Sequence, residues 1–559
     1  MADYTSGAIY FTGLGNGTDF DSIIEATVEA ESVRLNQLTE WEEYWQEKSD
    51  SLEELNTALV SMRSSLESMD TVTEFAEKSA SSSDTSVLSA TADGDAVDAS
   101  HTIEINQLAQ NDIWTNTTTG HSDSADSITS TDAVFAFSYA GEEYSLDVSA
   151  GTSLSELVDM INANPDSKSD VRATMINDGS EYHLQLYGMD MGEDNTVAIT
   201  ANTTLAGYDA ADFENTQIAQ SAEIKVDGYP TGADEWITRD TNTISDVLDG
   251  VTLSLANVGI TTLNVTTDTD AIKDKIVEFV ESVNEIRLLI QELTYVDDDA
   301  AGSVMTGNYG VDIVKQNLQN ITASKGLGFS YYDSDSGIGD YYSTLSQLGI
   351  STDADESSET YGQLLIDEDE LDDALETDSD AVIDLFAASE EGSSDSSDMT
   401  YVSSVDGLTS PGDHDVVYEI SGGVIISATI NGESCTIDGN TITGDYGTDA
   451  SGMEVRANTM VDGVYTGTVS VKQGKIGEMA DEMTRLTDSE SGILVIIQEN
   501  YDDIVANTQE SIETEEDRLA LFEDRLRERY AALEETLSEY DSIDATLDTL
   551  INSLTSFSS

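Results

Sequence analysis

Basic residues are scarce: the 559-residue chain sets 21 Lys and Arg against 112 Asp and Glu, a formal net charge of −91. Such a surface repels a nucleic-acid backbone and an anionic membrane, so neither is expected as a partner. Cysteine is scarcer still. Cys435 stands alone, so no intrachain disulfide staples the fold and stability has to come from packing. No apolar run reaches the roughly 18 residues that a membrane span needs. The opening MADYTSGAIYFTGLGNG carries no Lys or Arg before its short apolar stretch, so neither a cleaved signal nor membrane insertion is expected. Catalytic motifs are missing too: there is no G-x-S-x-G, P-loop or H-E-x-x-H. His101, His121, His183 and His414 share no zinc-like spacing with Cys, Asp or Glu and read as scattered surface histidines. No enzyme activity, cofactor or metal is expected.

What is present folds. Apolar residues make up 38% of the chain and recur periodically, unlike those of a disordered acidic chain. Carboxylates spread over every segment are what a salt-adapted surface shows, because its working medium screens them. The length favours roughly three or four domains over one.

Gly and Pro are absent from Thr18 to Asp93, where Ile24, Leu38, Trp45, Leu52, Leu59 and Leu66 lie on one seven-residue series that Glu31 interrupts. Leu55, Met62 and Met69 widen that stripe, so a helix is expected to fade near Met69. The other end mirrors it. From Ile493 onward Gly and Pro are again absent, and Val505, Ile512, Leu519, Leu526, Leu533, Tyr540, Leu547 and Leu554 stand seven apart. The spacing leaves open whether the partner helix belongs to this chain or to another.

Between the ends the pattern becomes alternation with turn signals, in AVFAFSYAGEEYSLDV, in RATMINDGSEYHLQLYG with its Asp-Gly turn, and from Gly250 to Val265, which read as antiparallel strands. Helical periodicity returns from Asp270 to Leu293 and from Glu368 to Phe386, and a second β-rich stretch, Tyr401 to Val471, follows a Ser/Asp-rich linker. Two further motifs read as local structure. Gly13, Gly15 and Gly17 make a hinge before Thr18 or Asp19 as N-cap, because no βαβ unit follows to make the run a phosphate cradle. Asp333 and Asp335 begin a calcium-like loop, but Gly337 comes one place early and Thr344 holds the position of the ligating Glu, so a solvated turn is expected.

The stretch GLGNGTDFDSIIEATVEAE, from Gly13 to Glu31, resembles the N-terminal signature of the flagellar hook-associated protein 2 family (FliD), the caps of bacterial flagellar filaments. SSSDTSVLSATADGDAVDASHTIEINQLAQ, from Ser81 to Gln110, is similar to that family's entry into its head domains. The segment Val134 to Ile199, with GTSLSELVDMIN and VRATMINDGSEYHLQLYG, resembles the repeat found in the heads of flagellins and caps. NTISDVLDGVTLSL from Asn242, LGISTD from Leu348, GQLLIDEDELDDAL from Gly362 and GTVSVKQGK from Gly467 are similar to the C-terminal half. RLRERYAALEETLSEYDSIDATLDTLINSL resembles the terminal helix, with Tyr530 where the family commonly has Phe.

The fold class expected is an α+β multidomain chain: long N- and C-terminal coiled-coil or bundle helices form a stalk, with antiparallel β-rich head domains. Its domains are expected as a terminal leg (1–45 and 520–559), a helical stalk (46–78, 268–390 and 474–519), a β-rich head (79–267, with the flagellin-type repeat at about 133–199) and a β-rich insert (391–473). The resemblance implies a homo-oligomeric ring, commonly of five subunits, at the distal tip of the filament, beneath which flagellin folds and is retained. It also implies contact with the hook-filament junction proteins, and secretion by type III export with a chaperone on the C-terminal helix. Leu14, Phe20, Ile24, Leu526, Leu533, Leu547 and Leu554 are the expected oligomer or filament contacts. The alternatives are a surface adhesin, either as the main function or beside capping, and another flagellar axial protein such as flagellin.

Overall fold

A computed structural model describes residues 19–296, 302–335, 337–389 and 391–556, leaving aside the side chains of 554–556. Among them the helices are α1 (Phe20–Glu31), α2 (Val33–Leu66), α3 (Val72–Phe75), α4 (Leu154–Ala163), α5 (Thr269–Thr294), α6 (Tyr309–Ala323), α7 (Glu368–Ala387), α8 (Lys475–Thr487) and α9 (Ile493–Ser556). Two compact units form. One comprises Met1–Ser68, Glu278–Asp367 and Gly392–Ser559; the other comprises Met69–Val277 and Glu368–Glu391.

The first unit joins the chain's two ends. Asp19 N-caps α1 by accepting a hydrogen bond from the Ser22 amide at 3.1 Å. The expected single N-terminal helix breaks at Ser32, just after the seam-interrupting Glu31. There the Ser32 hydroxyl donates to the carbonyl of Glu29 (2.8 Å), competing with the helical pattern. α2 ends at Leu66, close to where its stripe fades, and its Leu52, Leu55, Leu59 and Leu66 are fully buried against α8 and α9. α6 packs on the same helices through Val311, Val314 and Leu318.

Strands 392–394, 463–471, 412–421, 424–430, 433–438, 441–444, 454–457 and 399–403 form one antiparallel sheet in that order. Strand 412–421 alternates strictly, turning Val416, Tyr418 and Ile420 into the core. The Ser/Asp-rich segment before Tyr401 is not merely a linker. Gly392–Ser394 pairs with Val469–Val471, because a chain edge left open beside strand 463–471 offers its backbone groups a ladder.

The second unit is built on an antiparallel sheet with strand order 237–239, 222–226, 99–107, 259–267, 78–82, 88–92, 251–255 and 243–248. The run from Gly250 to Val265 is two strands that are not neighbours: 251–255 lies between 88–92 and 243–248, and 259–267 lies between 99–107 and 78–82. A second core gathers around Phe135, Phe137, Leu157 and Leu186, where hairpin 133–148 and strands 171–177 and 182–191 meet α4. Gly179, in the Asp-Gly turn between the last two strands, takes φ +105°, which an L side chain strongly disfavours. Phe75 of α3 stacks on Phe386 of α7 with ring centroids 5.5 Å apart. α7 bends at Asp378, whose carboxylate caps the second half through the Ala381 amide (3.0 Å).

The alternation read as strands hid α4. Its signal was local: Ser153 and Glu156 form a reciprocal capping box at the head of an apolar face of Leu154, Leu157, Val158 and Ile161. Ser153→Ala is expected to destabilise the second unit by about 1 kcal/mol, read as a lower urea midpoint with an unchanged slope. An unchanged midpoint would show the box to be redundant.

Candidate assembly surface

α9 divides into a covered part and a bare part. Over its first half the seam faces this chain's own helices: Leu494 is fully buried, and Val505 and Leu519 are each 6% exposed. Polar side chains pin the pairing. The Ser49 hydroxyl donates to Asp502 (2.5 Å), and Gln509 donates to Glu42 (2.8 Å). Further along, Arg518 meets Glu31 at 3.7 Å and Arg527 meets Asp21 at 3.2 Å, so both bridges tie α1 to α9. Phe20 stacks on Tyr530 at 5.3 Å, and Ile24 is fully covered. The aromatic at position 530 therefore serves the junction where α1 begins.

Beyond Tyr530 the cover thins among the described residues. The heptad positions continue, but Leu533 is 43% exposed, and Tyr540, Ile543, Leu547, Leu550 and Ile551 are all exposed. Residues 531–556 extend about 39 Å at helical rise. They hold six acids (Glu534, Glu535, Glu539, Asp541, Asp544 and Asp548) and no base. The basic residues of α9 sit just upstream, as Arg518, Arg525, Arg527 and Arg529. This is an apolar stripe with acidic flanks that stands exposed among the described residues, and each Leu or Ile that a partner buried fully would contribute about 1.5–3 kcal/mol.

The expected contact residues thus fall into three groups. Phe20 and Ile24 are committed to the internal junction of α1 with α9; Leu526 is half-buried there, and Leu533 and Leu547 face solvent. Leu14 and the side chain of Leu554 lie outside the described residues.

An aromatic cluster on the same helix pair escaped sequence reasoning, although WEEYW places Trp41, Tyr44 and Trp45 at i, i+3 and i+4. Trp45 lies 5.0 Å from Tyr501 and 5.6 Å from Trp41, and the Lys48 ammonium sits over Tyr44 (4.8 Å) and Trp45 (5.4 Å). The Tyr501 hydroxyl accepts from Asn308 (2.8 Å), which anchors α6 to the pair. Trp41 and Tyr44 remain about half exposed.

The histidines are local ties. His414 is not on the surface as expected but buried, its Nε2 donating to the Ser410 carbonyl (2.8 Å) and its Nδ1 accepting from Asn431 (3.0 Å). His101 pairs with Asp227 (2.8 Å) and His121 with the Tyr208 hydroxyl (3.0 Å). In the loop with Asp333 and Asp335, the Asp335 amide donates to the Asp333 carboxylate (2.9 Å), and Asp340 pairs with Lys472 (2.8 Å). Among the described residues no three His, Cys, Asp or Glu converge as metal ligands, and no helix is long and apolar enough to cross a membrane.

Set beside known proteins, residues 219–542 match the family described as Flagellar hook-associated protein 2 C-terminus, residues 16–112 match Flagellar hook-associated protein 2 N-terminus, and residues 134–188 match the Flagellin hook IN motif. The flagellar hook-associated protein 2 of Escherichia coli K12 is 28% identical over 387 residues, which are 66% of this chain and 78% of that protein. The A-type flagellar hook-associated protein 2 of Pseudomonas aeruginosa is 26% identical over 406 residues, covering 67% of this chain and 79% of that protein. The crystal structure of the flagellar cap protein FliD D1-D2-D3 domains from Escherichia coli aligns with 60% of this chain and 90% of its own, at 28% identity and a TM-score of 0.49.

Proposed function

The chain belongs to the flagellar hook-associated protein 2 family, the flagellar filament caps, and on that premise we propose that it works as a homo-oligomeric ring at the distal tip, seated through the bare end of α9. One observation carries this reading: among the described residues the heptad seam outlasts its internal partner. A long helix without tertiary cover is marginal in water, so residues 531–556 are stable when another helix lies along them. Leu526, Leu533, Leu547 and Leu554 are the proposed contacts on this helix, with Leu14 ahead of α1, while Phe20 and Ile24 hold the leg together from inside. In this reading residues 1–45 and 520–559 make the leg, 46–78, 268–390 and 474–519 the stalk, 79–267 the head and 391–473 the insert.

Such a cap needs geometry and no catalytic step. Flagellin delivered to the tip folds beneath the ring and is kept from escaping, while the helical legs hold the ring to the filament. The same reading places the chain outside the cell, brought there by type III export with a chaperone on the C-terminal helix, and in contact with the hook-filament junction proteins. A secondary role in surface adhesion is proposed for the insert, where Tyr446, Val461 and Val464 stand more than 60% exposed.

The test is to add the purified chain to cap-less filaments in the presence of flagellin. Filament growth with little free flagellin supports capping, whereas growth no better than without the chain refutes it. Charge adds a second expectation. Subunits carrying −91 each repel over a Debye length of about 3 Å at 1 M salt and about 30 Å at 0.01 M, so the ring should dissociate as salt is lowered. Light scattering that shows the same oligomer mass across that range would contradict it.

A further inference from the structure

Between α5 and α6 lies a cavity of about 370 Å³ that the capping reading leaves unused. Arg287, Gln291 and Thr294 recur along one face of α5, and Lys315 and Gln319 stand one turn apart on α6, so two helices line the same space with nitrogen and hydroxyl donors. Segments 352–354 and 361–363 supply the rest of the wall, and the exposed rings of Tyr295 and Tyr361 line it too.

Arg287 is the anomaly. The chain holds 112 acids, yet among the described residues the Arg287 guanidinium forms no ion pair with any of them. Nη1 donates to the Thr352 hydroxyl (3.2 Å) and the Gly362 carbonyl (3.0 Å), Nη2 donates to the Thr322 hydroxyl (2.7 Å), and Nε is buried without a partner. Burial pushes its pKa down to about 10. Lys315, exposed on α6, forms no ion pair among the described residues. The one acid among the described lining residues, Asp353, is engaged by its own loop, accepting from the Asp355 amide (3.0 Å) and the Thr360 hydroxyl (2.7 Å). Among the described lining residues, two cations against one occupied carboxylate leave a single excess positive charge. A half-buried cation without a counter-charge carries a desolvation cost that an incoming anion relieves.

We propose that this cavity binds a small carboxylate ligand of the size and character of a sugar acid. A single excess charge suits a monoanion better than a dianionic phosphate, and Arg and Lys side chains are natural carboxylate donors. The amides of Gln291 and Gln319 and the hydroxyl of Thr294 suit sugar hydroxyls, and the tyrosine rings suit the C–H face of a sugar ring. The volume falls within the range of small-molecule sites. This site is independent of the capping function.

Titration calorimetry on the full chain at constant ionic strength, with sodium glucuronate, methyl glucuronide, glucose and sodium phosphate as probes, decides the matter. Glucuronate should bind saturably and glucose should not. Lys315→Met, a change on an exposed side chain, should weaken glucuronate about tenfold with thermal unfolding unchanged, and Arg287→Met should abolish binding. If Arg287→Met fails to fold, Lys315→Glu takes its place, with loss of binding expected. Equal affinity for the methyl glucuronide points to the terminal residue of an acidic glycan, and preference for the free acid points to a soluble metabolite. No saturable heat with glucuronate, phosphate binding as tight as glucuronate, or binding indifferent to both Lys315 variants overturns the proposal.

Discussion

Removing residues 531–559 should abolish capping while leaving the rest of the chain folded. Residues 538–553 are exposed throughout, and the last ties between the two chain ends, Phe20 with Tyr530 and Arg527 with Asp21, lie before the cut. The shortened chain should therefore keep its thermal midpoint within a few degrees, since none of the described side chains it loses is buried. Its helix signal should fall by no more than the deleted residues. In a cap-null strain it should leave flagellin free in the medium and cells unable to spread in soft agar. Leu547→Asp makes a narrower version of the same test: the side chain is about half exposed, so a severe loss of capping at unchanged stability would place the defect on the outer seam. A shortened chain that capped normally would move the filament contact elsewhere.

The second large effect concerns a lysine with no exposure at all. Lys475, at the start of α8, places its ammonium where α6 ends, donating to the carbonyls of Ile321 (2.8 Å) and Lys325 (3.1 Å) and to the Ser324 hydroxyl (3.2 Å), with Glu478 at 2.8 Å. It thus supplies donors that the exposed end of a helix would take from water. Burial pulls the Lys475 amine below its usual range and lifts the Glu478 carboxyl above its own, so desolvation outweighs the attraction between them. The pair is then valuable for position more than for charge. Lys475→Met is expected to cost about 3–5 kcal/mol, because it strands a buried carboxylate and several carbonyls together. Lys475→Met with Glu478→Gln should recover part of that loss. Chemical denaturation of the three proteins measures both, and a single variant as stable as the parent would show that water reaches the site.

How far the sequence reached follows from what periodicity encodes. Seven-residue spacing records that a stripe is covered, not by what. Leu52, Leu519 and Leu547 occupy equivalent positions in their series, yet the first is fully buried, the second nearly so and the third about half exposed. Pairing order was equally hidden: strands 251–255 and 259–267 are separated by three residues and lie apart in the sheet, because their partners are set by distant segments. Helix α4 was missed because alternation on both sides masked a ten-residue element whose marker is one capping box. Lys475 carried no signal at all, since a lysine in a polar stretch reads as solvated until a helix end is placed over it. The family motifs were legible for the opposite reason: they are strings of adjacent residues and need no knowledge of the fold.

The pairing of α1 and α2 with α9 also governs the order in which the molecule can become itself. Hydrogen bonds and ion pairs between these helices join residues 453 to 506 positions apart. A chain that emerges N-terminus first, from a ribosome or from a narrow conduit, must hold its first helices unpaired until almost everything else has followed. Segment Met69–Val277 can close early, because most of its ladders lie within itself. The unit that contains both ends cannot, and such remote closure is slow. An apolar stripe that waits so long for its match must be kept from other stripes in the meantime, and the arrival of the last helix acts as the latch that fastens the first.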